Sequence, residues 1–396
     1  MMQPSCFPGE RGGWWLRIWM AVLLATLALV APSGNAGTTD RRASTANCDP
    51  GSAPGWRGGS VRLENDMPAG TDSNYTNGVA LTVASHDLEG PLRLDCLPRP
   101  LRIYTRLLAA LDPGFWRDSG SDAATRNVVF RIGQGMYTPE DGSRTDVSKG
   151  DRPYAGLLYG GVAWNRRMRP AQANYEILDV REFTLGVIGP WSLAEESQNL
   201  VHDLRGIDRF HGWDHQLRNE PAFQLALERK YRGPEEGAVR PGWGRDLIGS
   251  HAVRIGNIET AASAGLEGRF GWNLPNDFGS YPIRPGAENR PPSSAAAMRA
   301  SHPSSPQAPR AGIHGFVILE AKAVAWDFSL DGNLFHDSHR VSREPIVGQA
   351  AIGISAQWLV RGHGLRVAAM RVWRTREFRE QAEPHTFGSV AISVEL

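Results

Sequence analysis

After residue 36 the chain has no apolar run long enough for a transmembrane helix, yet it repeats segments of about ten residues in which apolar and polar side chains alternate. Gly, Pro, Asn and Asp separate these segments, as turns between strands require. In the first, Gly59 to Asp66, Val61 and Leu63 point one way and Arg62, Glu64 and Asp66 the other. In the second, Tyr75 to Ser85, Tyr75, Val79, Leu81 and Val83 share one face, and Thr76, Gly78, Ala80 and Thr82 the other. Further candidates lie near 126–137, 154–165, 173–188, 220–232, 245–256, 258–272, 313–327, 348–360, 364–375 and 385–396. That is twelve strands, and an even count is what a bacterial single-chain barrel needs.

A soluble secreted sandwich also alternates, and two details favour a membrane barrel over it. The chain ends in a strand with apolar Val390, Ile392, Val394 and Leu396 at every second position. Connections also differ in length: Gly256-Asn257 reads as a tight turn, whereas 86–124, 189–219 and 273–312 are long. Short turns on one side and long loops on the other is the expected asymmetry. The predicted fold class is therefore all-β, a transmembrane antiparallel β-barrel of about twelve strands with short helices in its loops.

The first residues read as an address. Arg11 and Arg17 precede the apolar run Ile18 to Val30, and Gly34 and Ala36 form a small-x-small exit, the pattern of a secretory signal peptide cleaved after residue 36. Residues 37–57 then form an N-terminal extension and 58–396 the barrel. The leader takes Glu10, Arg11 and Arg17 with it, so the 43 basic and 42 acidic residues become 41 and 41. No long block of one charge points to nucleic acid. Cys6 leaves too; Cys48 and Cys96 remain, and in an oxidising compartment that permits a disulfide.

Helical spacing of Leu101, Tyr104, Leu107, Leu108 and Leu111 predicts a helix over 98–111. A second, over 193–204, follows Gly189-Pro190 and carries Glu195 and Glu196 near its start, which suits the helix dipole. The stretch 284–310, rich in Pro, Ser and Ala, lacks the apolar content to order itself and makes 273–312 a long mobile loop.

Two constellations carry chemistry. Gln198 and His202, four residues apart, share a face of the second helix; a His can take a proton from water, and a Gln can orient that water or steady an oxyanion. Glu64, Asp66 and Thr76 share the inward parity of adjacent strands, and oxygen ligands suit Ca²⁺. Taken singly, each has an ordinary explanation: an incidental surface His, and the polar lining of a barrel. No G-x-S-x-G, H-E-x-x-H or P-loop is present.

Six strings in order, VRLENDMPAGTDSNYTNGVAL, DRPYAGLLYGG, LGVIGPWSLAEESQNLVHDL, GWDHQLRNEPAF, GWNLPNDFG and RTREFREQ, resemble the outer-membrane lipid A deacylase family from about Ser60 to Leu396. The resemblance implies a twelve-stranded barrel and a Ca²⁺-dependent esterase that removes the 3′-O-linked acyl group of lipid A, with lipopolysaccharide and outer-membrane lipids as its partners. It further implies that His202 activates water, that Gln198 and Thr76 belong to the site, and that Asn65 and Asp66 hold the calcium. Arg152 of DRPYAG would face the substrate, toward a lipid A phosphate. The family's acidic residue after the His falls by spacing on Asp208, where Glu is expected, and the 273–312 loop is longer than usual. Two other readings compete: a non-catalytic barrel, structural or a pore, and a phospholipase acting on glycerophospholipids.

Overall fold

The computed structural model describes residues 56–65, 74–89, 94, 97–116, 124–170, 173–233, 242–279, 292, 311–361 and 363–395. The leader, Cys48, Cys96 and Asp66 lie outside them, as do the side chains of Asn65 and Thr76. Twelve long strands form one sheet: β1 Trp56–Asn65, β2 Asn74–Ser85, β3 Thr125–Thr138, β4 Ala155–Met168, β5 Glu176–Ile188, β6 Glu220–Arg232, β7 Trp243–Gly256, β8 Glu259–Trp272, β9 Gly312–Asp327, β10 Ile346–Val360, β11 His363–Arg374 and β12 His385–Glu395. Each pairs antiparallel with its sequence neighbours, and β1 pairs with β12 through Val61 opposite Ile392, which closes the barrel. A two-residue strand, Leu88–Glu89, adds to β3 at Thr125 and Arg126.

Closure satisfies the main chain, so sorting of side chains is left to the two faces. Ile132, Leu247, Phe270, Val317, Leu319 and Ile354 stand exposed on the outside. In water such a continuous belt would be a liability; in a bilayer it matches the solvent. Inward positions carry charge in pairs, such as Arg131 with Glu182 at 3.3 Å and Arg167 with Glu176.

We call the rim where β1 ends and β2 begins the upper rim, and the other the lower. The connections do not sort by length as expected. The long 189–219 connection shares the upper rim with the two-residue turn 257–258, while 86–124 and 273–311 lie at the lower rim. The reason is counting: antiparallel strands alternate direction, so a connection's side follows from the strand it leaves. Loops after β2 and β8 are below; those after β5 and β7 are above.

Part of the predicted mobile loop is ordered. Residues 273–279 fold back into the lumen at the lower rim, where Asp277 bridges Arg269 and Arg366 and Asn276 accepts from Arg167 and Arg232. Phe278 is buried beside Ala84, Val129 and Leu178. Arg167, Arg232 and Arg269 are buried and Arg366 is half-buried, and this segment supplies oxygen partners to all four.

Candidate functional site

The helix α2, Ala194–Arg205, stands on the outer wall at the upper rim. The pairing Met136 with Gly156 shares its face with Ile132 and Gly160, the outward face. There Gly156 has no side chain, and a Cβ would collide with Ser192 Oγ and meet Ala194 Cβ at 2.5 Å. That glycine lets the helix seat directly on the strand. Gln134 Nε2 donates to the Ser192 carbonyl at 2.6 Å, and Met136 packs with Tyr154, Ala194 and Trp213.

On this seat the helix buries two polar side chains. Gln198 and His202 are each 2 % exposed. The Trp213 indole N–H donates to Gln198 Oε1 at 2.7 Å. An indole can only donate, so this contact sets the amide orientation and leaves the Gln198 NH₂ buried without a hydrogen-bond partner among the described residues. Such an orphaned donor costs about 1–3 kcal/mol, a cost that stability alone does not explain.

His202 Nδ1 lies 2.6 Å from the Asp208 main-chain oxygen. A carbonyl only accepts, so Nδ1 carries the proton, and in the neutral ring Nε2 carries the lone pair. The local fold creates this contact. Gly206, at φ 65°, caps the helix in the left-handed region, where the Ile207 N–H donates to the His202 carbonyl at 3.1 Å and the chain turns back. Arg209 then forks onto Asp203 at 2.8 and 2.5 Å, holding the returning chain and keeping the Asp203 carboxyl below its usual range. Phe210 meets the His202 ring edge-on, centroids 5.4 Å apart.

The other predicted residues fall differently. Asp208 meets the site through its main chain; its side chain is exposed. The backbone register runs Asn65–Asn77–Met136–Gly156 across β1 to β4, so the rim of β1 lies three strand spacings, about 14 Å, from the helix seat. At Thr76 the register shifts: Tyr75 pairs with Tyr137 but Asn77 with Met136. This bulge interrupts the alternation, so counting by twos from Glu64 and Gly78 does not carry to Thr76. Among the described residues no group of three His, Cys, Asp or Glu side chains is placed to hold a metal.

Arg152 sits inside the wall: it is 0 % exposed, its Nη2 donates to Glu377 at 2.8 Å, and its guanidinium lies 5.7 Å from the Tyr137 ring and 5.6 Å from that of Phe378. Tyr137 packs with the lumen cores, so Arg152 is on the other side of the wall from His202. Burial opposes ionisation of Glu377, yet Arg374 and Arg152 hold its carboxyl far below the usual range. The pair ties the 139–154 loop to the 375–384 loop.

Sequence reasoning missed Trp213, Phe210 and the Gly156 seat as parts of one site. Trp213 and Gly156 stand in the motif strings, whereas Phe210 falls between two of them and carried no sequence signal; the Gly206 cap was legible as a glycine at a helix end.

Comparison with known proteins agrees with this architecture. The family described as "Outer membrane protein LpxR" matches residues 20–396. The solved structure of LpxR from Salmonella typhimurium superposes with a TM-score of 0.58 at 17% identity, covering 86% of this chain and 100% of that one. The β domain of the Bordetella autotransporter BrkA aligns at a TM-score of 0.43 and 9% identity, over 86% of this chain and 100% of that one. No curated protein matches the chain by sequence.

Proposed function

For a chain that belongs to the LpxR family of outer-membrane proteins, we propose an esterase that removes the 3′-O-linked acyl group of lipid A at the upper rim. The observation that carries this reading is the Nδ1–H···O=C contact of His202, which turns a basic Nε2 away from the helix cap. Nε2 takes a proton from water, and the water oxygen attacks the ester carbonyl carbon. Gln198, with its carbonyl engaged by Trp213, offers NH₂ to the oxygen on which negative charge develops. The proton then passes from Nε2 to the departing sugar oxygen. Because α2 stands outside the wall, the ester is approached along the belt in which the acyl chains lie. A helix facing only water would need no such placement.

Calcium fits the donor chemistry of this rim. The Asn65 amide oxygen, the Asp66 carboxylate, the Thr76 hydroxyl and the Asp208 carboxylate are all hard oxygen donors, the class Ca²⁺ prefers. Asn65 and Asp66 would hold the ion, with Asp208 completing the set, while Thr76 would belong with Gln198 and His202 at the ester. When bound, it would supply positive charge beside the ester carbonyl. Mass spectrometry of lipid A from a host expressing the protein is the direct test. Loss of one acyloxyacyl group is expected, dependent on His202 and, with purified protein, abolished by chelator and restored by Ca²⁺. Unchanged lipid A with cleavage of glycerophospholipid would reassign the substrate; full turnover in excess chelator would remove calcium.

A further inference from the structure

A second helix, α1 (Arg99–Leu111), rests on the same outer wall at the lower rim. The register pairs Val128 with Trp164 and Trp164 with Arg181, on the face that carries exposed Ile132. Val128 and Trp164 are nevertheless fully buried, because Leu101 and Leu108 of α1 pack on them. The Trp164 indole donates to Thr105 Oγ1 at 3.0 Å, and the Tyr104 hydroxyl donates to the Arg181 carbonyl at 2.9 Å. Arg181 also pairs with Asp112 at 2.8 Å, just past the helix end. The helix is therefore clamped to the side of the wall that faces lipid.

Its far side is the unexplained part. Ile103, Leu107 and Leu111 are 60, 61 and 74 % exposed and follow at intervals of four, so they form one ridge. Arg99 and Arg106 are exposed along one edge of that ridge. Because the near side of α1 covers the lipid-facing wall, the ridge continues the apolar belt. An apolar ridge edged by arginine is the make-up of a helix at a lipid headgroup boundary.

We propose that α1 is an interfacial anchor in the inner leaflet of the outer membrane, with Ile103, Leu107 and Leu111 among phospholipid acyl chains and Arg99 and Arg106 on phospholipid phosphates. Such an anchor sets the depth of the lower rim, and through the rigid wall the height at which α2 meets the outer leaflet. The lipid contact stands on the packing of α1 alone; the choice of leaflet rests on the proposed outward placement of the His202 rim.

The test uses the full chain in single-copy nanodiscs, with Leu107→Cys labelled by bimane and the unsubstituted chain, which retains Cys48 and Cys96, labelled in parallel as background. Nitroxide-bearing phosphatidylcholine should remove more than half of the Leu107→Cys signal, and acrylamide little of it. Quenching by acrylamide but not by lipid would overturn the anchor, as would protection that appears only in crowded vesicles, which would mean a second copy covers the ridge. Replacing a third of the phosphatidylcholine with phosphatidylglycerol should slow amide exchange over 99–111 several-fold, and Arg99→Gln with Arg106→Gln should abolish that dependence. No dependence in the unsubstituted chain would overturn the phosphate contact. In intact cells a bulky, impermeant maleimide should reach Arg99→Cys only after the outer membrane is opened. Labelling of intact cells would reverse the leaflet, whereas loss of the esterase reading alone would leave lipid quenching unchanged.

Discussion

Two short helices lean on the outside of strands β3 and β4, one at each rim, and they bury opposite things. The lower helix buries Leu101 and Leu108 against Val128 and Trp164, and its one buried hydroxyl, on Thr105, is bonded. The upper helix buries Gln198 and His202 and leaves an amide donor without a partner among the described residues. The first arrangement is what packing alone would select. The second lowers stability and places a donor and a base side by side, the trade expected where a site is preorganised for chemistry.

The contrast is broken most severely at His202. His202→Ala should lower deacylation by about 10²–10⁴-fold, the usual contribution of a general base, while outer-membrane insertion and heat-modifiable gel migration persist. His202→Gln should fail as badly, since an amide accepts no proton from water. Lipid A deacylated normally by either variant, at matched expression, would assign the base elsewhere.

Next in size is the seat. Gly156→Val places branched carbon where Ser192 Oγ and Ala194 Cβ already lie, so α2 must lift from the wall. Displacement of about 1 Å costs roughly 10²-fold in rate, and kcat should fall with the barrel still folded. A variant with full turnover would show that the close contact at Gly156 does not position the site.

At the lower helix the same kind of insult should spare catalysis. Thr105→Val strands the Trp164 indole N–H in a buried position, at a cost of about 1–3 kcal/mol. Thermal unfolding in a fixed detergent should register it, with lipid A turnover per folded molecule unchanged. Lost turnover would mean that the two helices are coupled through the wall they share.

The smallest effect is expected at Gly206, whose φ of 65° disfavours a side chain although a Cβ there would meet no atom within 4 Å. Gly206→Ala should cost about 1 kcal/mol of local backbone strain. Turnover should drop by less than tenfold, because the Asp208 carbonyl need shift only slightly from His202. A loss as large as that of His202→Ala would show that the ring's tautomer depends wholly on this cap.

Local pattern determined a great deal. Period-two alternation located all twelve long strands, from Val61 and Leu63 on one face of β1 to the apolar positions of β12, because side chains in a strand point to alternate faces whatever surrounds them. Helical spacing of apolar residues located α1, and Gly189-Pro190 followed by Glu195 and Glu196 located α2, because these signals are also local. Strand parity alone also puts 86–124 and 273–311 at the lower rim. Tertiary structure decided what depends on partners distant in the chain. It set both helices outside the wall, because a close seat at Gly156 and an indole at Trp164 exist only once β3 and β4 are paired. It turned Arg152 inward to Glu377, 225 residues away, and it drew 273–279 into the lumen to meet four arginines. It also shifted the register at Thr76, since a bulge is a mismatch between two strands and neither strand alone records it.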